Sequence, residues 1–319
     1  MAARRAEVVD SRAVPAGADE VMLLQLWHLG DVLNSTALLP ALRKRHGRRL
    51  TFVTTRPCVG LLRNHPDLDR IRVVDFKVPG RVTPDAWRWL SGIHEELFPG
   101  HNGVYNLHRQ AADLKRMSWH IIEHWAALAG LDGPAESWRP YFRPEAAPEH
   151  VAPGDYLVVG NGGTEPAKRW PAARWQRLLA ALRERHPKLT YIQLGTHADP
   201  VIEGAQDRRG ATFDEGYWWI AGARACVTND SFIAHLAATT DCPTVAIFGP
   251  TSPLQFRPLA AHVTPLGGHH YRTQWACTRN LMGRFIGRHW PCLAFPTVSS
   301  VFAATERALS LPHRRDQAP

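Results

Sequence analysis

Short apolar-rich stretches and helical stripes alternate along most of this chain. Stretches of strand length stand at residues 21–26, 50–55, 71–74, 156–159, 189–194, 225–227 and 244–248, with a further one at 103–107. Between them, apolar residues recur at three- and four-residue spacing. Val32, Leu33, Ala37, Leu38, Ala41 and Leu42 do so and predict a helix over 32–45. The same pattern predicts helices over 57–64, 82–98, 111–129, 172–186, 217–222, 232–238 and 298–309. Strand, helix and strand at this pitch make βαβ units, so the expected fold class is α/β, with parallel sheets and right-handed crossovers. Pro134, Pro140, Pro144, Pro148 and Pro153 mark a linker. It divides a domain over 20–150 from one over 151–296, where 254–296 reads as irregular. Residues 297–319 are expected as a final helix and tail. Residues 1–19 are rich in Ala, Arg, Pro and Gly without any period, and are expected to be disordered. Two such sheets are expected to turn their strands' carboxyl ends toward a shared central cleft, where open α/β sheets bind ligands.

Composition narrows the class. With 319 residues, 45% of them hydrophobic, the chain can bury two ordinary cores. No apolar run approaches the ~20 residues that span a bilayer, and residues 21–27 lack the flanks of a signal peptide. Five cysteines, odd in number and scattered, point to a reducing compartment, so a cytoplasmic protein is expected. The net charge of +9 raises the question of nucleic acid. Residues 1–153 carry 20 basic and 17 acidic side chains and residues 154–319 carry 18 and 12, so the excess is spread out. No nucleic-acid-binding module is present, and the basic runs at 43–49 and 313–315 read as a solvated helix end and a frayed tail. An anionic substrate, or peripheral contact with an anionic membrane surface, fits this balance better.

Three loops carry candidate chemistry, each after its own strand. Thr228, Asn229 and Asp230 end a strand, and Ser231 opens the helix that contains His235 on the same face. Free amides and the dipole at a helix start suit an anion, although Asp230 and Ser231 are also ordinary caps. Gly160 to Pro171 holds Gly162, Gly163, Thr164, Lys168 and Arg169. Glycines admit a phosphate to the backbone and a lysine neutralises it, while the plainer alternative is a glycine turn with two exposed bases. The Walker spacing is missing, and no Gly-x-Gly-x-x-Gly follows the first strand. Asp31, after Gly30, is placed to take a proton from a hydroxyl, or merely caps its helix. His28 is a rival base or a packing residue. His197 and Asp199 are ribose contacts by position only. No His or Cys pair with zinc spacing and no Asp-x-Asp signature of metal-dependent sugar transfer is identified, so no metal and no cofactor are expected.

In this order the loops resemble those of glycosyltransferase family 9, the ADP-heptose:lipopolysaccharide heptosyltransferases and their relatives. Residues 24–42 look like that family's opening strand, Gly-Asp turn and helix. Residues 168–171 match its Lys-x-Trp-Pro loop, and 229–235 followed by 243–251 match its Asp-Ser/Thr-Gly-x-x-His and Gly-Pro-Thr pair. Phe232 stands where the family has glycine. The resemblance implies a GT-B architecture of two Rossmann-like domains and inverting, metal-independent transfer. A nucleotide-diphosphate sugar, ADP-heptose by family, would be the co-substrate, and a glycan or glycolipid such as the lipopolysaccharide inner core the acceptor. Asp31 would be the general base and Lys168 would hold the diphosphate. Gly162, Gly163, Thr164, Asp230, Ser231, Phe232 and His235 would line the donor site, and His28, Gly30 and Arg56 the acceptor site. The alternatives are a nucleotide-sugar epimerase, a non-catalytic nucleotide-sugar or glycan-binding protein, and a tailoring transferase with another donor and acceptor.

Overall fold

The computed structural model describes residues 5–11, 15–75, 84–110, 119–267 and 296–311. They fall into two compact units, Met1–Arg143 and Pro144–Pro319, so the boundary lies inside the proline-rich stretch. Cys277, Cys292, His269 and His270 lie outside the described residues. Among those that are described, no helix is long and apolar enough to cross a membrane.

The first unit is one parallel sheet of β1 (Glu7–Asp10), β2 (Glu20–Leu24), β3 (Arg49–Thr54), β4 (Arg70–Val73) and β5 (Val104–Asn106), in the order β1-β4-β3-β2-β5. Its helices are α1 (Leu29–Ser35), α2 (Leu39–His46), α3 (Val59–Leu62), α4 (Pro84–Leu97) and α5 (Ile121–Leu128). The helix predicted over 32–45 is interrupted by a 3₁₀ turn at Thr36–Leu38, since Pro40 in the first turn of α2 brings no N–H. The expected disorder over 1–19 is corrected in part. Glu7–Asp10 pairs with β4 along the sheet edge, and Arg70 holds the Glu7 carboxylate at 2.7 Å. A four-residue, mostly exposed strand leaves no period to read. The basic run at the end of α2 is also more than a solvated end. Arg43 pairs with Asp69 at 2.5 Å, and Arg45 donates to the Gly130 carbonyl.

The apolar faces of β2, β3 and α4 meet in a core of Met22, Leu24, Leu26, Trp27, Val53, Leu90 and Ile93. At the amino edge of the same sheet, Glu20 is buried against Arg72, which donates to it at 2.6 and 3.1 Å, and against the Thr51 hydroxyl. Burial works to raise the Glu20 pKa, but these hydrogen bonds outweigh it and hold the carboxyl below its usual range.

The second unit has six parallel strands: β6 (Tyr156–Gly160), β7 (Thr190–Gln193), β8 (Gln206–Asp207), β9 (Ala225–Asn229), β10 (Thr244–Phe248) and β11 (Val263–Gly267). Their order is β11-β10-β9-β6-β7-β8. Counted from β6, this is the doubly wound arrangement whose direction reverses between β6 and β9, the position where such sheets receive ligands. Its helices are α6 (Ala172–Arg185), α7 (Phe213–Ala221), α8 (Phe232–Ala237), α9 (Pro253–Phe256) and α10 (Val298–Leu309). The start of α7 precedes the predicted one because Thr212 and Glu215 form a capping box. Part of the stretch expected to be irregular is β11, in register with β10. Far from being an appendage, α10 buries Val301, Ala304 and Ala308 in one core with Leu178, Leu179 and Leu182 of α6.

Replacing Glu20 with Ala strands a buried guanidinium, and breaking such a pair costs about 3–5 kcal/mol. The urea midpoint of Glu20→Ala is expected to fall accordingly with an unchanged m-value. A native carboxyl held low contributes stability above its unfolded pKa and loses it as pH falls through the native one, so the variant's deficit shrinks in acid.

Candidate active site

Of the first unit's candidate residues, His28, Gly30 and Asp31 follow the end of β2. The Leu26 peptide is held on both sides: its N–H donates to His108 Nε2 at 3.0 Å, and its carbonyl accepts from the Thr55 hydroxyl at 2.8 Å. The chain then turns sharply at His28, the only non-glycine with positive φ among the described residues (φ 59, ψ 97). Such a conformation costs on the order of 1–3 kcal/mol and persists only where the surroundings enforce it. His28 occupies the N-cap of α1 and is exposed, while Asp31 is half-buried in the first turn. Asp31 is therefore not the cap. Gly30 lies between them, and Arg56 is exposed after β3. Burial, reinforced by nearby His28, pushes the pKa of His108 down to about 3, which keeps its ring neutral and able to accept the Leu26 N–H. Asn106 fixes His108 in turn, accepting its backbone N–H at 2.9 Å.

In the second unit the switch between β6 and β9 is closed by one side chain. Asn229 is fully buried and donates to the carbonyls of Asn161 (2.6 Å) and Gly162 (3.1 Å), while its oxygen accepts the Trp170 N–H (3.3 Å). The glycine loop and the Lys168 turn are thus tied to the same strand end. Asn161 is itself held by the Gln193 amide at 2.9 Å. Next to this clamp, Lys168 Nζ lies 2.9 Å from the Asp230 carboxylate, which also accepts the Thr251 hydroxyl. Burial works to raise the Asp230 pKa, but Lys168 and Thr251 prevail and keep the carboxyl below its usual value. Lys168 keeps 24% of its side chain exposed against 3% for Asp230, so the pair is open to solvent from the lysine side.

His235 is buried beside this pair, and its Nδ1 has no partner among the described residues. Burial drops its pKa to about 4 despite the attraction of Asp230, so the ring is neutral at pH 7. Ser231 takes the N-cap position of α8 without a side-chain cap bond, and its hydroxyl lies 3.3 Å from that of Thr228. Asp230 does not cap α8, because its carboxylate is engaged by Lys168 and Thr251. A helix of only 6 residues has a weak dipole, so positive charge at this edge comes from Lys168 instead. The Phe232 ring packs edge-on against Phe213, centroids 5.3 Å apart. Gly162 passes tight against Asp199, whose carboxylate a methyl group there would overlap. Asp199 is buried and accepts both the N–H and the hydroxyl of Thr196, while His197 and Thr164 are exposed. Arg169 donates to the Gly163 carbonyl at 2.8 Å. Sequence reasoning misses the clamp by Asn229, Asn161 and Gln193. Its only signal is the run of polar residues ending strands that are otherwise apolar.

Two metal-like patterns also escape the sequence reading. His120 to His124 spells His-x-x-Glu-His, a metalloprotease spacing. In the structure it is a capping box, with Glu123 accepting the N–H groups of His120 and Ala135. Asp67 and Asp69 form an Asp-x-Asp at the amino end of β4, the opposite edge from Asp31, where Asp69 is taken up by Arg43 and the Leu50 N–H. No cluster of three or more His, Cys, Asp or Glu side chains suited to a metal occurs among the described residues.

Two doubly wound parallel sheets with polar clamps at their switch points define an α/β protein of the GT-B fold class, and known structures agree. The structure of E. coli ADP-heptose lipopolysaccharide heptosyltransferase II has a TM-score of 0.62 at 19% identity, covering 91% of this chain and 98% of that one. The iron-containing dodecameric glycosyltransferase TibC of enterotoxigenic E. coli gives 0.65 at 16%, covering 91% and 76%. At such identities the likeness is one of fold. Residues 212–281 match the model of glycosyltransferase family 9 (heptosyltransferase), a segment that contains Asp230 to His235. Lipopolysaccharide heptosyltransferase 1 of Pseudomonas aeruginosa is 35% identical over 106 residues, 31% of this chain and 30% of that protein. Lipopolysaccharide heptosyltransferase 2 of Salmonella typhimurium is 30% identical over 188 residues, 50% and 54%. The matches thus span between about a third and about half of the length of these curated relatives. The resemblance to glycosyltransferase family 9 is borne out.

Three histidines buried neutral, His65 and His235 with pKa lowered to about 4 and His108 to about 3, set an expected pH dependence. Between about pH 4 and the unfolded value of about 6.5 the unfolded chain binds more protons than the native one, so stability rises with pH across that window. Melting temperatures measured from pH 4 to 7 should climb and then level off. A His65→Phe variant should show a shallower climb than the parent.

Proposed function

We propose that this protein is an inverting, metal-independent glycosyltransferase. It moves a heptose from ADP to a hydroxyl of a lipopolysaccharide inner-core acceptor, in the cytoplasm or at the cytoplasmic face of the inner membrane. The Lys168–Asp230 pair at the switch of the second sheet is the observation that supports this most strongly. It places a partly exposed, braced lysine where a doubly wound sheet receives a phosphate-bearing ligand. Donor and acceptor are suggested by the relatives' names, not by the geometry.

In this reading the Asp31 carboxylate takes the proton of the acceptor hydroxyl, and that oxygen bonds to the anomeric carbon on the face opposite the diphosphate. The carbon–oxygen bond to the diphosphate breaks, and its electron pair leaves on the phosphate oxygen. Lys168 offsets the charge that develops there, the task a divalent cation performs in other transferases. Neutral His235 supplies a hydrogen bond without adding charge. The first unit holds the acceptor through His28, Gly30 and Arg56, and the second holds the donor.

The test is turnover of ADP-heptose with a heptose-deficient inner-core acceptor, followed by mass spectrometry with and without EDTA. Product at an unchanged rate in EDTA is expected, whereas loss of product in EDTA contradicts metal independence. Donor consumed without acceptor would instead indicate an epimerase, and ligand binding without product a non-catalytic binder. Asp31→Asn should lower kcat on the order of 100- to 10,000-fold and leave ADP affinity nearly intact. Lys168→Ala should lower kcat on the order of 100-fold or more, and weaken ADP binding as well.

A further inference from the structure

Phe213 and Phe232 are the first residues of α7 and α8, and their rings meet at 5.3 Å between centroids and 63° between planes. Both are only half-buried. Phe232 directly follows Ser231, with the Asp230–Lys168 pair one residue further back. Phe213 is firmly held. The Thr212–Glu215 capping box fixes the start of α7, and the next residue, Asp214, accepts the Glu145 N–H at 2.8 Å. One turn along, a Cβ on Gly216 would meet Leu236 Cδ2 at 3.5 Å, an ordinary packing distance, so the two helices lie side by side there.

A half-buried phenyl two residues along the chain from Asp230, packed edge-on against Phe213, leaves apolar surface in water unless something apolar covers it. The C–H faces of a sugar ring suit such a surface, and a diphosphate does not. We infer that Phe232, braced by Phe213, is the wall of the donor site that reads the glycosyl group and is indifferent to the nucleotide. This inference rests on the nucleotide-sugar reading above.

Calorimetric titration of the full chain with ADP and with ADP-heptose tests it, using the parent, Phe232→Ala and Phe232→Leu. Leu keeps apolar volume without a ring face, and its melting temperature shows that the fold survives. Both variants should bind ADP within about twofold of the parent, while the preference for ADP-heptose over ADP falls about fivefold, the size of one aromatic contact. Phe213→Leu should show a smaller loss of the same preference. An unchanged preference in Phe232→Leu, or equal weakening of both ligands, overturns the assignment. If the parent binds neither ligand, the glycosyltransferase reading falls first and this inference with it.

Discussion

The carboxamide of Asn229 sits where three pieces of the second unit have to meet. Its two donors reach the Asn161 and Gly162 carbonyls just past β6, and its oxygen takes the Trp170 amide two residues after Lys168, all inside the protein. Each bond is worth about 1 kcal/mol net, but a buried partner left without one costs about 1–3 kcal/mol. The loops therefore have one satisfied arrangement. That arrangement holds Gly162 against Asp199 and sets Lys168 at the strand edge beside Asp230. The first unit uses the same device with other residues, clasping the Leu26 peptide between His108 and Thr55 and so presenting the strained turn at His28.

Buried charge occurs at both sheets and serves two ends. Glu20 and Arg72 are closed off, with side chains 1% and 0% exposed and a two-point contact. Such a pair fixes a strand's position and offers nothing to a ligand. Asp230 is as deeply buried, but its cation is not. A lysine with 24% of its side chain exposed, drawn against a buried carboxylate, is held in place while staying partly open to solvent. Neutral His235 next to it adds no positive charge to the site.

Much of the fold is legible because burial and period coincide. The strand at 244–248 and the helix at 298–309 lie where the apolar pattern puts them, and the parallel α/β class follows from their alternation. What escapes is non-local. Nothing in the sequence shows that Asp230 faces Lys168 and Thr251 rather than capping α8, or that an asparagine reaches a residue 59 positions away. β1 is invisible because an exposed edge strand of four residues has no hydrophobic face to reveal it. The His-x-x-Glu-His spacing misleads in the other direction, since one helix start uses those groups on its own backbone. Gly162, Lys168 and Asp230 share one clamped edge, while Asp199 and Thr196 satisfy each other beside it.

If the clamp builds a diphosphate site, loosening it must cost nucleotide affinity without unfolding the chain. The most direct measurement is calorimetric titration of ADP into Asn229→Leu and the parent, with cooperative melting as the check on folding. An affinity at least about tenfold weaker in a cooperatively melting variant is the predicted result, the loss of one to two net hydrogen bonds' worth of loop order. An unchanged affinity would contradict the account, because the loops would then hold the nucleotide without the residue said to organise them.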